Sequence, residues 1–518
     1  MKLHFSFLWL LCALPTVLLA QNPDVDIQQY EFHLSVTDTN NEIKGKAVID
    51  FDFVNTTDVL QLDFVAVDAK GKGMKVDSVV QEHNKLKFAQ DKETLSIYTS
   101  SDAQVAVYYH GIPKDGLIIS KNIYGNRTFF GDNWPNRAHH WLPVIDHPTD
   151  KAKVSFYVTV PKKYEVIATG TLQEIFESGS TKKYLYKSPV ELSTKVMVIG
   201  VAQFAVEDLG TVANVPLTSW VYPENEKAGF YDYAIAEPIL NFFTQHISEF
   251  PFTKLANVQS TTRYGGMENA GNIFYSEKSV DGKRSYEFII AHEIAHQWFG
   301  DSASEIDWPQ LWLSEGFATY FTNLYAEYAY GKEKLDERLQ KERAEVIAFS
   351  KYAKTPIIDS SRTELIELLN PNSYQKGGWV LHMLRRKVGD AIFWKAIKKY
   401  YQTYAYSNAT SHDLQAVFEE VSGTDLELFF KQWLTQYGEP KLKLDYTYKN
   451  KKATITIHQL QQSNFEFPLQ LRITYANKDA EVIEVQVTKK EQVFEVEVPE
   501  TPTTIVLDPN TNLLFEKG

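Results

Sequence analysis

The hydrophobic period of this chain changes twice, and that constrains its fold more than any other feature. From about residue 28 to 206 apolar residues alternate with polar ones. Tyr30, Phe32, Leu34 and Val36 form one such row, Ala47, Ile49, Phe51 and Phe53 a second, and Val154, Phe156, Val158 and Val160 a third. Period-two alternation broken by turn residues predicts half-buried antiparallel strands, in a β-sandwich or a large open sheet. From about 207 to 437 apolar residues recur at three- and four-residue steps. This predicts core-facing helices over 226–248, 286–299, 311–330, 333–350, 374–387 and 413–437. After Gly438-Glu439-Pro440 the alternation returns through Ala453, Ile455 and Ile457, then Ile483, Val485 and Val487, then Phe494, Val496 and Val498, as in a small β-sandwich. The 518 residues suit about three domains. The expected class is multidomain α+β: an N-terminal β domain over 21–206, a mostly helical domain over 207–438 and a C-terminal β-sandwich over 439–518.

Ahead of these lies a targeting segment. Lys2 precedes an almost unbroken apolar run from Phe5 to Ala20, short for a bilayer span and followed by polar residues. Residues 1–20 therefore read as a secretory signal, although Leu18 is larger than the usual cleavage pattern asks, and an uncleaved anchor is the alternative. Cys12 is the single cysteine and lies inside this segment. The remainder of the chain can form no disulfide, thiol nucleophile or cysteine metal site. A large exported protein without disulfides fits a bacterial periplasm or cell exterior. The sequons at Asn55, Asn126 and Asn408 matter only in a glycosylating host. A net charge of −13 argues against nucleic-acid binding, which needs a basic surface. No stable membrane insertion is expected once the signal is removed.

The chemistry centres on His292-Glu293-Ile294-Ala295-His296, inside the apolar stretch 288–299. Ser285 is a candidate N-cap, and Glu287 suits the first helical turn. A four-residue step puts both imidazoles on one helix face, one turn apart, where they can share a metal. Glu293, one step round, can reach a water on that metal. Two histidines and a downstream helical carboxylate make a His₂Glu zinc set. Glu315, in Trp312-Leu313-Ser314-Glu315-Gly316-Phe317-Ala318, follows His296 by nineteen positions. Alone it is equally compatible with an acid at a helix start, but buried among such neighbours it must coordinate or pair. Upstream, Glu268 sits in Tyr264-Gly265-Gly266-Met267-Glu268-Asn269-Ala270-Gly271. It is either a solvated acid in a glycine-rich turn or a counter-ion for a cationic group. Downstream, Tyr374 in Asn370–Gly377 is either a core tyrosine or a donor to an oxyanion.

These four pieces together resemble the zinc aminopeptidases of the aminopeptidase N family, in order and spacing, from about 210 to 438. Residues 132–143 (DNWPNRAHHWLP) and 146–148 are similar to that family's first domain. The resemblance implies a thermolysin-like catalytic domain with one zinc held by His292, His296 and Glu315. It implies Glu293 as general base, Tyr374 as transition-state donor, and Glu268 as anchor for the substrate's α-ammonium. Gly265 and Gly266 would hold substrate backbone, Met267 and Asn269 would belong to the same substrate-binding segment, and further peptide contacts are expected from residues 132–136. The chain departs from the common pattern at Ser314, where Asn is usual, and at Thr322, where many members carry an acid supporting a ligand histidine. A short form without the family's helical C-terminal domain is expected, with a cleft open to longer peptides.

The implied reaction is hydrolysis of the first peptide bond of a peptide with a free α-amine, by zinc-activated water. Two rivals stand beside it. A thermolysin-like endopeptidase has no use for an amine anchor, and a non-catalytic peptide-binding relative has no use for a complete set of ligands and base.

Overall fold

The alternating N-terminal segments pair as strands, and their register follows the apolar rows. In the computed structural model, which describes residues 24–99, 104–476 and 479–518, Val25–Ser35 runs antiparallel to Ile43–Phe53. Tyr30 stands opposite Ile49 and Phe32 opposite Ala47. On its other side Val25–Ser35 pairs in parallel with Lys151–Pro161, setting Phe32 against Phe156. The signal expected over residues 1–20, with Cys12 inside it, lies outside the described residues. Nine strands form this sheet, and a second, of four strands, runs through Glu165–Ala168, Ile199–Ala202, Arg127–Gly131 and Leu117–Lys121. Phe51, Phe156, Trp141 and Val201 are buried in the core these strands share. Each large apolar side chain buried there contributes about 1.5–3 kcal/mol relative to exposure.

The middle region is not purely helical. It opens on a five-stranded sheet in the order Ala205–Val212, Val215–Val221, Leu255–Ser260, Asn272–Ser276, Gly266–Met267. The three central strands are parallel and the two edges antiparallel. Leu255–Ser260 is buried at every position and so carries no alternation to read.

Nine α-helices follow among the described residues: α1 (Glu226–Tyr233), α2 (Ala236–His246), α3 (Glu287–His296), α4 (Trp312–Tyr330), α5 (Lys332–Ser350), α6 (Gly377–Val388), α7 (Asp390–Tyr404), α8 (Ser411–Ser422) and α9 (Glu427–Thr435). Two expected helices each prove to be two. The 226–248 stretch breaks after Tyr233, and 413–437 breaks at Gly423, whose φ of +66° is a left-handed helix end. The α7 segment was not expected as a helix.

The α4 helix is the spine of this region, buried continuously from Trp312 to Ala326. Phe299 beyond α3 packs on Phe317 of α4, ring centroids 4.6 Å apart. A Cβ on Gly316 would stand 2.9 Å from Gly377, so bare backbone at both positions lets the start of α6 lie against α4.

The last residues form two sheets. Ala453, Ile455 and Ile457 are buried on one, and Leu469, Leu471 and Ile473 on the other. Arg343 of α5 anchors them by bonding Asp508 and the Leu513 carbonyl. The N-terminal strands are anchored by two buried lysines. Lys195 pairs with Glu305, and Lys151 donates to the carbonyls of Ser302 and Ser407, each at 2.8 Å.

Candidate metal centre

The α3 helix turns Ile290, Ala291, Ile294 and Ala295 into the core, which leaves His292, Glu293 and His296 for the cleft. Its start corrects one expectation. The residue before the first turn is Tyr286, which makes no side-chain cap, and the Ser285 side chain instead bonds Asp281. Glu287 does lie in the first turn, accepting from the Tyr325 hydroxyl at 2.9 Å.

Glu315 enters from the first turn of α4 and meets both imidazoles. Its Oε2 lies 3.1 Å from His292 Nε2 and 3.2 Å from His296 Nε2, and the two nitrogens are 3.1 Å apart. The two rings are nearly perpendicular, at 84°. Donor atoms about 2.0–2.1 Å from a tetrahedral zinc stand roughly 3.3 Å from one another, so this triangle has the size the ion requires. Two nitrogens and one carboxylate oxygen are also the donor types zinc takes. The residues fit the ion.

The histidines are supported unequally. His296 Nδ1 lies 3.1 Å from both the Phe299 carbonyl and Ser314 Oγ, so Ser314 contacts a candidate ligand although it is not the Asn that the resemblance makes usual. Thr322 gives its hydroxyl to the Ala318 carbonyl at 2.8 Å, and among the described residues His292 Nδ1 has no hydrogen-bond partner. Without a cation, burial opposes charge on all three residues, yet proximity overrides it for two. The buried Glu315 carboxyl is held well below its usual range by His296, and His296 is pushed up to about 10 mainly by Glu315. Burial leaves His292 lowered.

Glu293 is buried, and burial raises its carboxyl well above the usual range. Its side chain occupies the space a Cβ on Gly266 would take, with Oε1 only 2.2 Å from that position. Met267 completes the edge strand and Glu268 follows just beyond it. Glu268 is 5% exposed, and one oxygen lies within 4.8 Å of ligand atoms of both Glu293 and His296. Burial raises its carboxyl too. Asn269 is fully enclosed, and among the described residues neither of its side-chain polar atoms has a partner. The Gly265 carbonyl accepts from Ser276.

Gln297 fixes this segment, a role the sequence reading missed. Its Nε2 donates to the Glu268 carbonyl at 2.7 Å and to Asp301 at 3.0 Å, and its Oε1 accepts from Gly271 N–H at 2.8 Å. The available signal was an uncharged amide within an apolar helical run, which needs partners once buried.

Tyr374 lies in a single π-helical turn, Asn372–Lys376, rather than in an α-helix. Such turns recur at functional sites because they re-aim one side chain. The Tyr374 ring stacks on His292, centroids 5.9 Å apart, and its hydroxyl donates to Glu315 Oε1 at 2.8 Å. His292, Glu293, His296, Glu315, Tyr374 and the 265–268 segment line one cavity of about 480 Å³; Asn269, expected to bind substrate, is enclosed behind it, and of the 132–136 segment it is Trp134 that lines the wall. Asp132, from the same segment, instead pairs with Arg137.

Residues 231–433 match the Peptidase family M1 domain, and residues 27–196 match the Peptidase M1 N-terminal domain. The chain is 27% identical over 439 residues to a protein named Probable aminopeptidase 2 from Sulfurisphaera tokodaii, covering 80% of this chain and 54% of that one. It is 23% identical over 455 residues to Leucyl aminopeptidase of Saccharolobus solfataricus, with 82% and 55% covered. With Glutamyl aminopeptidase of Bitis rhinoceros it shares 27% over 383 residues, with 69% and 40% covered. The chain spans about half the length of the first two of these relatives. With both domains matched in their order along the chain, the protein belongs to peptidase family M1.

Proposed function

We propose that this protein is a zinc-dependent aminopeptidase, hydrolysing the N-terminal peptide bond of peptides with a free α-amine. The observation that carries this reading is the position of Glu268. A peptide's α-nitrogen is only two bonds from its first carbonyl carbon, so an amine anchor must stand within a few ångströms of the reacting centre. The Glu268 carboxylate, within 4.8 Å of His296 and Glu293 atoms, meets that requirement. A peptide bound through its ammonium there presents only its first bond to the ligand triangle.

His292, His296 and Glu315 would hold the zinc, which when bound supplies Lewis acidity and brings the pKa of water towards neutrality. Glu293 takes the proton of the attacking water and returns it to the leaving amine. Its burial makes it a stronger base than a surface carboxylate. Tyr374 donates its hydroxyl hydrogen to the developing oxyanion. Gly265, beside Met267, leaves room for substrate backbone, while the bare backbone of Gly266 makes room for Glu293. A thermolysin-like arrangement for 207–438, a sandwich for 439–518 and export through residues 1–20 belong to the same reading. Among the described residues no helix is long and apolar enough to cross a membrane.

The test compares an aminoacyl arylamide with its N-acetylated twin, with and without chelator. The free amine is cleaved, the chelator abolishes cleavage, and added zinc restores it. Comparable cleavage of the acetylated substrate overturns the aminopeptidase reading.

A further inference from the structure

The two ends of the cavity are built differently, and the far one carries Arg338 and Lys341 beside Glu342 and Glu345. Glu268 stands on the His296 side of the ligand triangle. Beyond His292 the wall is made by Phe288 and Ile289, one turn earlier on α3, and by Arg338 and Lys341 of α5. If the ammonium rests at Glu268, the chain beyond the scissile bond runs towards that second wall.

Arg338 is well placed there. Its guanidinium lies over the Phe288 ring, 4.5 Å from the centroid, and its Nε donates to the Asn323 side-chain oxygen. Neither terminal nitrogen makes a hydrogen bond among the described residues. The nearest acid, Glu342, is 3.8 Å away, beyond bonding distance. Glu342 is itself buried and accepts the Asn323 amide at 2.9 Å, so its carboxyl is held by that amide and leaves the terminal nitrogens of Arg338 without a hydrogen bond to it. Lys341, three residues on, is largely exposed at the mouth, with Glu345 at 3.9 Å. An exposed pair of that kind holds its lysine weakly. A half-buried guanidinium over an aromatic ring, lining a cleft and with neither terminal nitrogen hydrogen-bonded among the described residues, is a fork suited to a carboxylate.

We propose that Arg338, assisted by Lys341, binds a carboxylate on the leaving-group side of the substrate, so that the favoured peptides carry a negative charge shortly after the scissile bond. The charge comes either from the free C-terminus of a short peptide or from an acidic side chain of a longer one. This inference rests on the aminopeptidase reading, and it names the substrate class of that site.

The experiment measures kcat/KM on matched pairs sharing one N-terminal residue. The first arm compares a dipeptide and a tripeptide with their C-terminal amides. The second compares an amidated tripeptide with Asp in its second position against the Asn equivalent. The expected result is a preference of about tenfold or more for the charged member of at least one pair. That ratio should fall towards one in Arg338→Gln and partly in Lys341→Gln. Each ratio is read within one enzyme, so a variant that folds less completely lowers both members alike. If the wild type cleaves both members of every pair equally, the inference is overturned while the aminopeptidase reading survives. If it cleaves no member of any pair, the aminopeptidase reading itself fails. Retention of the full ratio in Arg338→Gln would assign the preference to another group.

Discussion

The Tyr374 hydroxyl donates to one oxygen of Glu315 over 2.8 Å, while the other oxygen of that carboxylate faces both His292 and His296. The tyrosine is thus tied directly to the ligand triangle and held at the edge of the cleft. Its bond to Glu315 has to yield, or be shared, when an oxyanion forms. Tyr374→Phe should therefore lower kcat by about 10²–10³, since one such donor is typically worth about 2.7–4 kcal/mol. KM should change far less. Steady-state kinetics check this; an effect confined to KM makes Tyr374 a ground-state contact.

Gly266 has a cost attached to any side chain. A Cβ there would lie 2.2 Å from Glu293 Oε1, and the flexible end of Glu293 is what would move. Gly266→Ala should keep its metal and fold yet lose about 10²-fold in kcat, because misplacing a catalytic group by an ångström has that effect. Metal analysis beside kinetics separates this from a folding defect. Wild-type turnover would mean Glu293 works from another position.

His296 and Glu293 divide the roles of ligand and base. His296→Ala leaves two protein ligands and should lose both zinc and activity. Glu293→Gln should keep one zinc per chain and lose nearly all turnover, since the amide cannot take a proton. Full zinc occupancy in His296→Ala, or near-normal rates in Glu293→Gln, would contradict the assignment.

Lys195 and Glu305 form a fully buried ion pair between an N-terminal strand region and the middle region. Removing one partner strands the other charge, so Lys195→Met should destabilise by about 3–5 kcal/mol. Replacing both, as Lys195→Met with Glu305→Leu, should recover much of that loss. Urea unfolding of the three proteins measures it.

The parts of this molecule that were legible in the sequence are those with a period or a spacing. Alternation around Phe32 and Ile455 marked strands, and the four-residue step from His292 to His296, with Glu315 nineteen residues on, brought together three atoms that the fold sets 3.1–3.2 Å apart. What escaped had neither. Leu255–Ser260 is buried on both faces and shows no alternation. Gln297 acts through backbone partners that are distant in sequence, Glu268 and Gly271. Arg338 reads as one charge in a charged helix until the fold sets it over Phe288. Ser285 looks like a cap, but its hydroxyl is taken by Asp281.

Selection of a free amine is proposed to rest on the Glu268 carboxylate, and Glu268→Gln removes that charge while keeping the side chain's shape. The measurement is the ratio of kcat/KM for a free-amine peptide to that for its N-acetylated twin, in the wild type and in Glu268→Gln at equal zinc content. With the carboxylate present, a substrate lacking the cation leaves a buried charge unpaired, and the ratio should be large. In Glu268→Gln the free-amine rate should fall sharply and the ratio should collapse by at least about tenfold, with zinc still bound. A variant that keeps the full wild-type ratio would contradict the account, because selection would then come from some other group.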